Sequence, residues 1–410
     1  MVTNTRKTPG QRAATTLARV VALAIGSVAL AGWHASAIAG PREQAKRIHD
    51  RLVGTPPSDT LLTQMAKDIT TDGNGINAAL LAMDKSDPES SPFYNYTLKN
   101  FAAPWTNRDQ QVFVPLNDYT ATVIGMVRDD VPFNTLLSAD ILYVATGGGL
   151  PAYSPANNDL YQALDDNNAD LRTVLTQTTQ SSLTGIPAAA TAGVITTRGG
   201  ASAFFIAGTN RAMFRFTMLN HLCRDMEQVE DTTRPTDRIR QDVSRSPGGD
   251  SRIFLNSCVG CHSGMDPMAQ AFAYYNFVPD PNDPTLGQLQ YTPGQVQPKY
   301  LINSDNFKAG YITPDDHWDN RWRQGPNSLL GFSSSLPGSG TGAKSLGVEL
   351  ENSDAFAQCQ VEKVFRAVCF RSPSDSQDRS TVTQIVGDFK SHNYSLKQVF
   401  AETADYCKGP

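Results

Sequence analysis

The chain has 410 residues, 40% hydrophobic and 18% charged, enough apolar mass for sizeable cores and too much for a disordered chain. Its 35 basic and 40 acidic residues give a net charge of −5, so it lacks the basic surface that nucleic-acid binding needs. The length is too great for one ordinary core; two or three domains, or one large helical body with subdomains, are expected.

In chain order, the first 39 residues read as an export leader. Arg6, Lys7, Arg12 and Arg19 stand without an acid, and the run V-V-A-L-A-I-G-S-V-A-L-A-G-W follows, too short for a comfortable membrane span. The small residues A-S-A-I-A-G suit cleavage after Ala39, and no twin arginine is present, which points to the general Sec-type route and a periplasmic location. Removing the four basic residues of the leader leaves 31 basic residues against 40 acidic ones, a net charge of −9. No second apolar run is long enough to span a bilayer.

The rest reads as mainly helical. Pro57-Ser58-Asp59 opens a helix whose face is Leu61, Leu62, Met65 and Ile69. Residues 76–83, 93–101 and 118–128 show the same spacing. From 145 to 200 the texture is loop-rich, with a short helix at 160–164. Gly147-Gly148-Gly149 has no lysine at phosphate-loop spacing. A long helix is expected over 204–223, then a polar linker over 234–250. Asp266-Pro267 has the form of a helix start. Residues 279–345 read as mostly loop, and helices are expected over 353–369, 379–390 and 395–406.

Between linker and loop lies C-V-G-C-H, Cys258 to His262. Structural zinc commonly needs two such pairs, and no second C-x-x-C or H-x-x-x-H is present. A thioredoxin-like dithiol prefers a βαβ setting, whereas the pattern here is helix, loop, helix. Covalent haem c remains. Cys258 and Cys261 would form the thioethers and His262 the proximal iron ligand. One covalent haem per chain is expected. The four other cysteines then form two disulfides; Cys369 and Cys407 flank two helices whose ends return together, leaving Cys223 for Cys359.

Three stretches carry a resemblance. D-D-V-P-F-N-T-L-L-S-A-D (129–140), C-V-G-C-H-S-G-M-D-P-M-A-Q-A-F (258–272) and S-L-G-V-E-L-E-N-S-D-A-F-A-Q-C-Q-V-E-K-V-F (345–365) resemble the planctomycete-type cytochrome c domains. That family joins helical modules around one C-x-x-C-H. The resemblance spans roughly 129–402 and implies haem binding and electron transfer without naming a substrate. The sequence departs from it in the helix after Asp-Pro, M-A-Q-A-F-A-Y-Y-N-F, and in D-D-H-W at 315–318.

The sixth iron ligand is the open question. No methionine follows Met268, and Met265 and Met268 lie too close to His262 to reach the opposite face; they are expected against the haem edge. His317, in a loop-rich region, is the candidate distal ligand, with Met213, Met218 and His221 as other candidates. Of Arg234, Arg238, Arg240, Arg245 and Arg252, most are read as a solvated linker, with Arg252 the best partner for a haem propionate.

The expected fold is therefore mainly α, with helical subdomains and long loops around one c-type haem. The regions are a signal peptide (1–39), an N-terminal helical region (40–145), a loop-rich linker region (146–200), a haem-binding domain (201–345) and a C-terminal helical domain (346–410). The expected function is one-electron transfer to or from a redox partner protein. The alternatives are a haem oxidoreductase acting on peroxide or a small organic molecule, and a structural-haem module of an envelope assembly.

Overall fold

The computed structural model describes residues 39–206, 208–240, 251–301 and 310–409. The leader up to position 38, and Arg245, lie outside them. Helices of seven residues or more are numbered below. Helix α1 (Pro41–Leu52) packs on α2 (Asp59–Asp72) and α3 (Ile76–Ala82). The Ser58 side chain caps α2 by accepting from the Leu61 N–H, and Gly73, at φ 70°, closes it with a bond to the Ile69 carbonyl. A π-helical turn at Phe93–Leu98 runs into Lys99–Ala102. Helix α4 (Asp118–Arg128) is capped by Asn117 and buried along all 11 residues, which makes it the central helix.

Short strands interrupt the helices. Strand β1 (Leu142–Val144) pairs antiparallel with β2 (Thr176–Thr178), with α5 (Asp159–Asp166) between them. After α6 (Arg198–Phe204) the chain turns at Asn210, φ 62°, into α7 (Arg211–Thr217), which winds into a π turn at Met218–Leu222. The single helix expected over 204–223 is thus broken. Asparagine tolerates the left-handed conformation, and its amide donates to the Phe272 and Tyr275 carbonyls at 2.8 and 2.9 Å. These tertiary bonds outweigh continuous helical periodicity.

Helices α8 (Ser251–Ser257) and α9 (Val259–Ala269) follow, then the hairpin β3 (Tyr275–Pro279) and β4 (Gly287–Tyr291), with Tyr275 opposite Tyr291. Strand β5 (His317–Asp319) pairs with β6 (Ser339–Thr341), placing His317 opposite Thr341. The segment read as loop over 279–345 therefore carries strands. Helices α10 (Gly342–Glu351), α11 (Asp354–Cys369), α12 (Ser376–Ser391) and α13 (Leu396–Cys407) complete the chain, as periodicity predicted for the last three. Helix α13 packs on α3 as well as on α11, so the two ends of the described chain share one helical body.

One hydrophobic core runs from Ala45 to Ala404, and Pro41–Gly409 form a single unit, within which the sequence boundaries at 145, 200 and 345 all fall. Both predicted cysteine pairings are present: Cys223–Cys359, with Cα atoms 5.3 Å apart, and Cys369–Cys407, 5.6 Å apart. No helix among the described residues is long and apolar enough to cross a membrane.

Buried in this core, Glu351 accepts bonds from the Leu137 N–H and the Ser138 hydroxyl, and burial pushes its pKa up to about 8. Between the ordinary carboxylate range and pH 8 the folded chain therefore holds a proton that the unfolded chain has lost. Stability is fully present below that range and falls as pH rises towards 8, by up to about 1.4 kcal/mol per pH unit. Glu351→Gln keeps a neutral group of the same shape. Urea unfolding across pH 5–8 should show a flatter profile for the variant; an unchanged slope would place the pH dependence elsewhere.

Candidate haem-attachment site

The C-x-x-C-H motif forms the joint between α8 and α9. The Cys258 N–H bonds back to the Phe254 carbonyl at 3.0 Å, closing α8. Cys258 then occupies the N-cap position of α9, and its carbonyl takes the His262 N–H at 3.2 Å. Cys258, Cys261 and His262 therefore share the first turn of one helix. This compact geometry suits a peptide that must hold two ring edges and fold an imidazole beneath them.

The two thiols are unpaired and half-buried, and they face different neighbours. Cys258 packs with Ile239, Phe254 and Val259, whereas Cys261 packs against the main core, with its sulfur 3.4 Å from the Met226 carbonyl. Burial, then the carboxylates of Glu230 and Glu227, push the Cys261 thiol above its ordinary pKa. A redox dithiol needs the opposite, an electropositive setting that favours thiolate. Among the described residues no group of three or more His, Cys, Asp and Glu side chains is arranged to hold a metal ion by itself.

His262 is mostly buried, with its side chain 17% exposed. Its Nδ1 lies 3.1 Å from Oδ1 of Asp266, one helical turn on. Among the described residues its Nε2 has no hydrogen-bond partner. Asp266 is fully buried. Its Oδ1 also accepts from Arg211 Nε at 2.7 Å, and its Oδ2 from Arg211 Nη2 at 3.0 Å and the Arg240 N–H at 3.3 Å. Burial alone would raise this carboxyl; the charges of Arg211 and Arg240, with the His262 bond, outweigh it and hold it well below the usual range.

Asp266 is thus not the helix start read from Asp266-Pro267. The helix already begins after Cys258, and Pro267 falls in its last turn. The i,i+4 spacing of His262 and Asp266 was the sequence signal for their contact.

The backbone of 229–233 crosses the start of α9. The Asp231 N–H bonds to the Gly260 carbonyl at 3.0 Å, and the Ser263 hydroxyl donates to the Asp231 carbonyl at 2.8 Å. On another face Gly264 receives the buried Trp322 indole: a Cβ at Gly264 would sit 2.0 Å from Trp322 Nε1. Gly264→Ala should therefore destabilise by about 1–3 kcal/mol through overpacking. Gly387, exposed on α12 with nothing within 4 Å, is the control: Gly387→Ala should be neutral or stabilising by up to about 1 kcal/mol. Thermal unfolding of both variants checks this, and equal melting temperatures would contradict it.

The other candidates lie apart. His317 sits on β5, half-exposed, with Nε2 3.5 Å from Asp319 Oδ1. Arg238 ties this strand to the far end of α9: it donates to the His317 carbonyl at 3.1 Å and to Gln270 Oε1 at 2.6 Å. Gln270 is eight residues past His262, about 12 Å along a helix. The imidazole of His317 does not contact that of His262. Met213, Met218, Met265 and Met268 are all buried in the main core. His221 is fully buried, its Nε2 2.6 Å from the Tyr119 hydroxyl, and burial holds its pKa well below the ordinary value.

The arginines read as a solvated linker are partnered instead. Arg234 meets Asp231 at 3.1 Å, Arg238 meets Asp319 at 2.7 Å, and Arg240 is buried with its guanidinium 4.4 Å from the centre of the Tyr300 ring. Asp231 lies three residues before Arg234, but the partners of Arg238 and Arg240 are distant in sequence, which local charge balance cannot reveal. Arg252 is exposed. Compared with known proteins, the chain matches no family model, no curated protein and no solved structure.

Proposed function

We propose that this chain is an exported monohaem c-type cytochrome that passes single electrons between a redox partner protein and another carrier. The observation that carries this reading is the first turn of α9, with two unpaired thiols and an imidazole that is tethered through Nδ1 and open at Nε2. Cys258 and Cys261 would hold the haem edges, and His262 Nε2 would ligate the iron. Bound haem supplies the one-electron iron couple. The protein supplies attachment, a fixed imidazole and a partly apolar wall that includes Phe254.

The two disulfide pairs support an oxidising, exported setting such as the periplasm. The excess of acidic residues suits docking to a basic redox partner. The resemblance to planctomycete-type cytochrome c domains is part of the same proposal.

A second reading, a haem oxidoreductase with an open sixth position, is favoured by the placement of His317 beside Asp319 and of Met213, Met218 and His221 in the core. The absorption spectrum of the purified holo-protein in both oxidation states separates the two. Six-coordinate low-spin iron supports the carrier; high-spin iron open to carbon monoxide supports the oxidoreductase. If His317 is the sixth ligand, His317→Ala converts low-spin iron to high-spin.

A further inference from the structure

We infer that Asp266 is a positioning residue for the iron ligand, fixing the tautomer and rotation of His262 and lowering the reduction potential of the centre. This rests on the haem reading above. A carboxylate only accepts hydrogen bonds, so the Nδ1 that faces Asp266 Oδ1 at 3.1 Å carries the proton. Nε2 then keeps the lone pair that iron needs.

The carboxylate is itself fixed. The Arg211 fork holds both oxygens, at 2.7 and 3.0 Å, and the Arg240 N–H approaches Oδ2 at 3.3 Å. Its side chain is fully buried, so water does not compete for the lone pairs. Imidazole and carboxylate ride on one helix, four residues apart, while Trp322 packed on Gly264 holds that helix in place. A carboxylate behind a ligating imidazole raises its donor strength. Stronger donation favours ferric over ferrous iron, so the potential falls. A backbone carbonyl, the other common partner of a ligating histidine, carries no full charge and would exert a weaker pull.

The test reads two quantities in the full-length holo-protein. In the reduced protein the His262 Nδ1 proton should give a slowly exchanging resonance. Asp266→Asn, whose amide oxygen is the weaker acceptor, should speed its exchange and raise the midpoint potential at unchanged haem content. An unshifted potential with unaltered exchange overturns the inference. If Asp266→Asn does not fold, the unsubstituted protein still decides: rapid exchange of its Nδ1 proton overturns the inference and slow exchange supports it. A chain that takes up no haem overturns the cytochrome reading alone. The proton is then sought in the haem-free full chain, where residence on Nδ1 supports the positioning role and residence on Nε2 overturns it.

Discussion

The double variant Cys258→Ala, Cys261→Ala is expected to lose all covalently held haem. Both sulfurs lie at the head of α9, one at its N-cap and one in its first turn, and neither has a disulfide partner. With both removed, only the proposed His262 ligation would remain, so any residual haem would be held by coordination and packing alone. Acid-acetone extraction of the denatured variant should then leave no haem with the polypeptide, while the parent retains it. Each single variant keeps one thioether and should retain haem. Covalent haem surviving in the double variant would rule out attachment at this motif.

Unfolding should respond unequally to the two disulfides. Cys223–Cys359 closes a loop of sequence separation 136 and Cys369–Cys407 one of 38. Removing either should cost about 2–5 kcal/mol, and loop-closure entropy makes the longer one worth about 1 kcal/mol more. The longer bridge ties the π turn after α7 to α11, and the shorter joins α11 to α13; both pairs of segments also pack together, so loop length sets the difference. Denaturant unfolding of Cys223→Ser/Cys359→Ser and Cys369→Ser/Cys407→Ser measures the difference. Labelling of all four cysteines by an alkylating reagent in native, unreduced protein would contradict both pairings.

Local periodicity and caps made α2, α4 and the three C-terminal helices legible. In each, apolar spacing agrees with a polar residue at the start, as with Ser58, Asn117 and Ser353. The cysteine pairings were legible too, because few partners remain once Cys258 and Cys261 are set aside. What stayed hidden was tertiary. Strands of three residues such as β5 are too short to show alternation. The break at Asn210 depends on carbonyls more than sixty residues away. Arg240 reads as surface charge until α9 and Tyr300 enclose it.

Asp266 is the instructive case. Beside Pro267 it has the form of a helix start, yet the helix is already two turns old. Its contacts are with Arg211, 55 residues earlier, and with His262, one turn back. The C-x-x-C-H spacing was legible from five residues, and its haem role is proposed from it. The Arg211 and Arg240 contacts that fix Asp266 beside His262 were not.

The most direct test is the intact mass of the purified chain under denaturing, reducing conditions, after export and maturation. The account predicts the mass of the processed polypeptide plus one haem. A mass equal to the bare processed polypeptide, with both Cys258 and Cys261 open to alkylation, would contradict it.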